Sequence, residues 1–234
     1  MWFGLISLFP EMLQHALSYG VVGRAFEQKI AQVEYFNPRD YADNPSGYID
    51  HAPYGGGAGM VMQPGPLLRA VEAAQKQAPQ QAKVVYLSPQ GTPFTQTAVM
   101  PLLQQEALIL IAGRYEGIDQ RVIDLAVDEI WSIGDYVLSG GEVPILVMLD
   151  ALMRQIPGVV GDADSVAFES FQEGLLEHPH YTRPAEYAGL RVPDVLLSGN
   201  HEAIRRWRQD QSLRTTKAIR PDLLQKHLVL EETA

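Results

Sequence analysis

The 234-residue sequence contains no cysteine, which removes disulfides, cysteine-ligated zinc and thiol catalysis together. That is compatible with a reducing compartment, and the cytoplasm is the expected location. No apolar run approaches the ~20 residues of a membrane span. The opening stretch from Met1 to Phe9 is apolar, but it lacks the basic start and small-residue cleavage site of a secretory leader. It reads instead as a buried strand leading to a helix start at Pro10. No internal repeat or low-complexity tract is present. Positive charge is also scarce, with 18 Lys and Arg against 28 Asp and Glu, a net charge of −10. That balance argues against a chain that is nucleic-acid-binding throughout, yet it is uneven. From His180 to Lys226 there are nine basic against five acidic residues, or +4, and the remainder is −14. A basic region on an acidic body can face nucleic acid, and it can equally be a solvated helix face.

What is there suffices for a core without staples, since 46% of residues are hydrophobic and 20% charged. Residues 1–9 read as a strand and 10–28 as one helix, with Met12, Leu13, Leu17, Val21 and Val22 near helical spacing. Residues 30–62 are turn-rich. Helices are expected at about 65–76, 95–104 and 144–155. Fully apolar strands are expected at Val84–Leu87 and Ala107–Ala112, with another at Glu129–Ile133. Apolar strands alternating with helices predict an α/β fold around a parallel sheet buried on both faces. The Gly, Asp, Ser and Glu stretch from Pro157 to Glu173 reads as a flexible linker to a small, helical and basic C-terminal domain. The division is therefore 1–160, linker 161–173, and 174–234.

In open parallel sheets, ligands bind beyond the carboxyl ends of the strands. Three such ends carry unusual loops: Tyr86-Leu87-Ser88-Pro89-Gln90-Gly91, Gly113-Arg114-Tyr115-Glu116-Gly117-Ile118-Asp119, and the tract from Ser132 to Glu142. Glycine in such loops either makes turns or lets backbone approach a ligand. Three glycine loops at one sheet edge favour the ligand. The run from Tyr54 to Met60 is not a phosphate loop, because no Gly-Lys-Ser/Thr follows it. Nor is it a dinucleotide fingerprint, because its third glycine is missing and no strand leads straight into it. It remains a candidate substrate-contacting loop. Asp150 and Arg154 stand four apart on one helix, the spacing of an ion pair worth a few tenths of a kcal/mol. His178 and His180 lack partners for a metal site. Arg205, Arg206, Trp207 and Arg208 put arginines beside an aromatic, which suits phosphates and a stacked base, or a packed tryptophan among solvated arginines.

These segments carry a resemblance over nearly the whole chain. The tract Trp131-Ser132-Ile133-Gly134-Asp135-Tyr136-Val137-Leu138-Ser139-Gly140-Gly141-Glu142 is long and specific, and Gly113-Arg114-Tyr115-Glu116-Gly117 adds to it. So do Leu8–Met12, Pro53–Met60, Tyr86–Gly91, Pro179–Pro184 and Leu196–Trp207. The sequence resembles the TrmD family of bacterial tRNA (guanine-N1-)-methyltransferases. The resemblance implies an α/β, parallel-sheet SPOUT fold with a deep trefoil knot, a rare exception to the rule against knots, plus the small C-terminal helical domain. It implies methylation, from S-adenosylmethionine, of the tRNA guanosine immediately 3′ of the anticodon. It also implies a homodimer whose active site lies at the subunit interface, with tRNA as the other partner. By position, the cofactor pocket would use Tyr86, Leu87, Pro89, Gly113, Glu116, Ser132, Ile133, Gly134, Tyr136, Leu138, Gly140, Gly141 and Pro144. The family's catalytic arginine falls on Arg154 and its general base on Glu169. The family is also associated with magnesium (Mg), to which Glu116 would contribute, though no metal cage is legible.

Guanine N1 carries a proton and is a poor nucleophile while it does. A carboxylate has to take that proton, and a guanidinium can stabilise charge building on the guanine oxygen. The sequence departs from the family where this matters. Glu169-Ser170-Phe171 stands where Asp-Ser-Phe is usual, and Asp162 and Asp164 are nearby alternatives for the base. His51-Ala52 and Ala58 also differ from the common pattern. Two competing readings are a knotted methyltransferase acting on another RNA, and an RNA-binding protein of weak activity that kept the cofactor pocket.

Overall fold

The structure is a computed structural model and describes residues 1–161 and 169–224. The chain divides into two units, Met1–Gly161 and Asp162–Ala234.

The first unit is built on a five-stranded sheet whose neighbouring strands all run parallel. Its strands are β1 (Trp2–Ile6), β2 (Gln32–Phe36), β5 (Lys83–Pro93), β6 (Ala107–Ala112) and β7 (Glu129–Ser132), in the spatial order β2-β1-β6-β5-β7. A separate two-stranded pair, β3 (Asp50–His51) and β4 (Val61–Met62), brackets the glycine run. All six residues of the central strand β6 are buried, as a strand covered on both faces requires. In register, Leu110 lies between Leu5 and Val85.

Side chains alternate across a strand, so the sheet sorts its apolar residues into two layers. Phe3, Leu5, Val85, Leu87, Leu108 and Leu110 pack on one face with α1 (Pro10–Leu17), α2 (Gly20–Glu27), α4 (Gln96–Leu103) and α6 (Glu142–Met153). Trp2, Ile6, Val84, Tyr86, Ile109 and Ile111 pack on the other with α3 (Pro64–Gln77) and α5 (Gln120–Ala126).

Several expectations are corrected here. The helix expected over 10–28 is two helices, because Tyr19 is extended and Gly20, where α2 begins, takes a positive φ of 67°. The turn-rich stretch 30–62 contains the edge strand β2. Its polar Gln32 and Glu34 hide the strand signal that Val33, Tyr35 and Phe36 carry. Helix α5 was not anticipated. Its cap is Asp119, whose side chain accepts from the Arg121 amide at 2.9 Å.

The second unit holds the short helix α7 (Asp194–Leu197) and the long helix α8 (His201–Ile219), capped by Asn200. It also contains a hairpin absent from the helical expectation. Strands β8 (Glu186–Tyr187) and β9 (Leu190–Arg191) are joined through Ala188 and Gly189, both with positive φ. The expected mobility of the linker, and the alternative bases Asp162 and Asp164, lie outside the described residues. Among the described residues no helix is long and apolar enough to cross a membrane.

Candidate active site

Strands β5, β6 and β7 are neighbours, so their carboxyl ends bring three loops together. Between Leu87 and Thr92 the β5–β7 register slips, and Ser88–Gly91 bulges away from the ladder. That bulge, the loop after β6 and the loop after β7 enclose a cavity of about 250 Å³. Each of the thirteen residues assigned to a cofactor on resemblance lines it: Tyr86, Leu87, Pro89, Gly113, Glu116, Ser132, Ile133, Gly134, Tyr136, Leu138, Gly140, Gly141 and Pro144. The resemblance did not assign Ser88, Gln90, Arg114, Tyr115, Gly117, Trp131, Val137 and Ser139, which line it too. All eight sit inside the recognised loops, so the missing information was which parts of each loop face the cavity.

The walls are shaped by close approaches. Gly141 N–H donates to the Gly113 carbonyl at 2.9 Å. A methyl group at Gly141 would lie 2.6 Å from the Ala112 Cα and 2.9 Å from the Gly113 nitrogen. Both contacts are with backbone, which cannot swing aside. Gly141→Ala is therefore expected to cost about 1–3 kcal/mol as overpacking, which lowers Tm by roughly 3–10 °C. Thermal unfolding of the purified variant checks this, and an unchanged Tm would mean that the two loops can separate freely. Tyr86 is buried beneath Gly113. Burial pushes its phenol up, and hydrogen bonds with Ser88 and the Ile118 backbone oppose that shift. At neutral pH it is therefore a neutral ring with a hydroxyl. Ser132 Oγ donates to the Gly134 carbonyl at 3.1 Å, and Tyr136 Oη donates to the Ile133 carbonyl at 3.1 Å, which folds the β7 loop onto itself.

The donor set is a mixed one. Leu87, Pro89, Ile133, Leu138 and Pro144 offer apolar surface for a flat ring. Glycine-rich backbone offers donors and acceptors to a base edge and to hydroxyls. Glu116 offers a carboxylate to a cationic group. This suits a nucleoside carrying a positively charged tail, and S-adenosylmethionine has that chemistry. The glycine run stands beside this wall. Glu116 N–H donates to the Met60 carbonyl at 2.9 Å and Met62 N–H to the Gly117 carbonyl at 3.0 Å. Gly55, Gly56 and Gly57 have positive φ, and a methyl group at any of them would meet nothing within 4 Å, so the tip of the run is open.

Arg154 does not line the cavity. It caps the carboxyl end of α6, and its N–H donates to the Asp150 carbonyl at 3.2 Å. Pro144, which does line the cavity, is ten residues earlier, or about 15 Å along the helix. Val143, Val147 and Asp150 are exposed on α6, and Arg154 continues the same stripe half-buried.

In the second unit Glu169 is half-buried, and its carbonyl accepts from the Gln172 amide at 3.3 Å. The segment after it is pinned to α8. Leu176 N–H donates to Thr216 Oγ1 at 2.9 Å, and that fully buried hydroxyl donates to the Ser212 carbonyl at 2.7 Å. Trp207 of α8 packs between His178 and Tyr181, with ring centroids 6.3 Å away in each case. Of the arginines around it, Arg206 pairs with Glu202, while Arg205 and Arg208 are exposed. His180 lies 2.8 Å from Glu177. Among the described residues no group of three or more His, Asp or Glu is placed to hold a metal ion.

A family model described as tRNA (Guanine-1)-methyltransferase TrmD matches residues 1–226. Curated relatives agree. A tRNA (guanine-N(1)-)-methyltransferase of Chromohalobacter salexigens is 54% identical, with 96% of this chain and 86% of the relative covered. One of Aeromonas hydrophila is 53% identical over 99% of this chain and 93% of its own length. One of Pseudomonas savastanoi pv. phaseolicola is 56% identical over 94% and 88%. Identity of this order across almost the full length of both partners leaves one conclusion: the chain belongs to the TrmD family of tRNA (guanine-1)-methyltransferases.

Proposed function

We propose that this chain methylates N1 of the guanosine immediately 3′ of a tRNA anticodon, using S-adenosylmethionine held in the cavity at the ends of β5, β6 and β7. One observation carries the assignment of the cavity. Thirteen residues drawn from three separate segments, named on resemblance alone, converge on one space of suitable chemistry.

Bound there, the sulfonium supplies a methyl group already activated for transfer, so the protein's task is largely positioning and proton management. Glu169 takes the N1 proton as the new N1–carbon bond forms and the carbon–sulfur bond breaks. Arg154 donates to the guanine carbonyl oxygen, where negative charge grows. Glu116, which lines the cavity, would hold the cationic end of the donor. Magnesium, which the resemblance brings with it, would have Glu116 as its protein contact.

The enzyme works as a homodimer in this reading. Two features support it. Helix α6 is apolar almost all round, yet Val143 and Val147 are exposed on it, and Phe9 and Met12 are exposed at the start of α1. In addition, Arg154 stands about 15 Å along α6 from its own cavity. A two-fold related copy that crosses α6 antiparallel sets its own Arg154 near Val143, the neighbour of the cavity-lining Pro144. Residues 1–160 then form the knotted SPOUT domain. The bond from Gly141 to Gly113 and the bridge from Arg114 to Gly140 fit a segment drawn tightly past the loop after β6. Residues 161–173 are the linker that carries Glu169. Residues 174–234 grip tRNA, with Trp207 and its neighbouring arginines on one helix. Such an enzyme acts where tRNA is made and used, in the cytoplasm.

The test is methyl transfer from labelled S-adenosylmethionine to two tRNA transcripts. One carries guanosine at the third anticodon position and just after it. The other has adenosine in place of the second guanosine. Transfer to the first alone is expected. Transfer to both moves the target elsewhere in the RNA, and transfer to neither, with cofactor bound, favours an RNA-binding role.

A further inference from the structure

Among the described residues, Glu142 is the one buried carboxylate, with 1% of its surface exposed. It is the first residue of α6, where the helix N-terminus favours negative charge. The reaction proposed above does not use it. Its two oxygens reach two different parts of the fold. Oε1 accepts from Ser7 Oγ at 2.7 Å, and Ser7 is itself fully buried just beyond β1. Ser7 Oγ in turn accepts from the Phe9 amide at 2.9 Å. Oε2 lies 2.8 Å from Arg114 Nε. That N–H is not aimed at the oxygen, so the contact is an ion pair rather than a hydrogen bond, and neither atom has a hydrogen-bond partner.

Arg114 belongs to the cavity wall formed by the loop after β6. Its guanidinium sits 4.6 Å above the Phe9 ring, and Nη1 donates to the Ser139 carbonyl at 3.1 Å. The arginine also lies flat against the backbone at Gly140. A methyl group there would come within 2.6 Å of its Cδ and Cζ. One charged pair thus joins the end of β1, the loop after β6 and the loop after β7. The last two are walls of the cavity.

We infer that Glu142 is a positioning residue for cofactor binding: through Arg114 it clamps the Gly113–Gly117 loop to the Ser139–Gly141 loop and holds the cavity at the width its ligand needs. The clamp costs desolvation of two charges, and a buried pair broken on one side is worse than a pair replaced on both. This defines its signature. Loss of either charge loosens both walls, and loss of the second adds little. The inference rests on the reading of the cavity as the S-adenosylmethionine site.

The experiment measures binding of S-adenosylhomocysteine to the full-length protein by calorimetry, at a temperature where each variant is folded by circular dichroism. Glu142→Gln is expected to raise Kd about tenfold or more, the cost of one charged contact. Single-turnover methyl transfer at saturating S-adenosylmethionine is expected to fall far less than affinity does. Arg114→Met should resemble Glu142→Gln, and the double variant should bind no more weakly than the weaker single one. Leu67→Ala, a core truncation on the opposite face of the sheet, is the control for lost stability, and its Kd should stay at the wild-type value. Should Glu142→Gln not fold, Ser7→Ala removes one bond to the same carboxylate and should raise Kd by about two- to tenfold. Wild-type protein that binds no S-adenosylhomocysteine would overturn both the cavity reading and this inference. Wild-type binding with unchanged Kd in Glu142→Gln, or single costs that simply add in the double variant, would overturn this inference alone.

Discussion

Arg154→Ala is expected to lower single-turnover methyl transfer by about a hundred- to a thousandfold, while the Kd for S-adenosylmethionine stays near the wild-type value. The separation of the two effects follows from position. Arg154 lies at the carboxyl end of α6 and is not part of the cavity lining, so its loss leaves the walls as they are. Alanine readily adopts the helical φ of −60° and ψ of −26° that Arg154 has at the end of α6, so the backbone of the helix is kept. What disappears is a permanently charged planar donor that would meet the guanine oxygen as N1 gives up its proton. Arg154→Lys is expected to recover part of the rate at most, since an ammonium is a point charge without the planar fork. Quench-flow transfer with labelled cofactor and equilibrium dialysis read the two quantities separately. An Arg154→Ala enzyme with wild-type transfer would take Arg154 out of the chemistry.

How much of this could be read from the sequence differs between the centre of the sheet and its edge. Strand β6 was legible because a strand buried on both faces needs six apolar residues in a row, and Ala107–Ala112 has them. Strand β2 was not, because an edge strand is only half covered and tolerates Gln32 and Glu34 between its apolar positions. The break between α1 and α2 rests on the backbone of two residues, extended Tyr19 and positive-φ Gly20, and helical spacing runs through it unaltered. The hairpin at Glu186–Arg191 is two residues per strand, shorter than any periodic pattern can report.

The site divides in a similar way. The loop segments are contiguous motifs, and contiguous motifs survive in one dimension. The pairing of Arg114 with Glu142 joins positions 28 apart through a loop crossing, and no spacing rule links them. Both residues stood inside recognised motifs, yet nothing in the motifs says that one is buried against the other. The three-dimensional structure turns two motif letters into one physical object. The same holds for Arg154. Helical spacing paired it with Asp150, and the distance along α6 from Pro144 agrees with the homodimer that the resemblance implied.

Glu169→Gln is expected to lose methyl transfer by about a hundred- to ten-thousandfold, the range for removing a general base. Glutamine keeps the length and shape of the side chain and its hydrogen-bonding oxygen, but it cannot take a proton from N1. The backbone around it should hold, since Phe171 N–H bonds to the Leu175 carbonyl at 2.7 Å, Ser170 Oγ accepts from the Glu177 amide at 3.0 Å, and Leu176 is tied to Thr216 on α8. Glu169→Asp is the informative companion. It restores the residue usual in the family and shortens the arm by one methylene, about 1.5 Å of bond length. A shift of that order can cost a hundredfold if the native geometry is built around glutamate. Activity near wild type would show that the linker segment adjusts to either length. Activity close to that of Glu169→Gln would show that this chain has settled its geometry around the longer acid. The two variants are measured by single-turnover transfer to the guanosine-bearing transcript, with S-adenosylmethionine saturating. A fully active Glu169→Gln enzyme would move the base to another carboxylate, with Asp162→Asn and Asp164→Asn the next variants to assay.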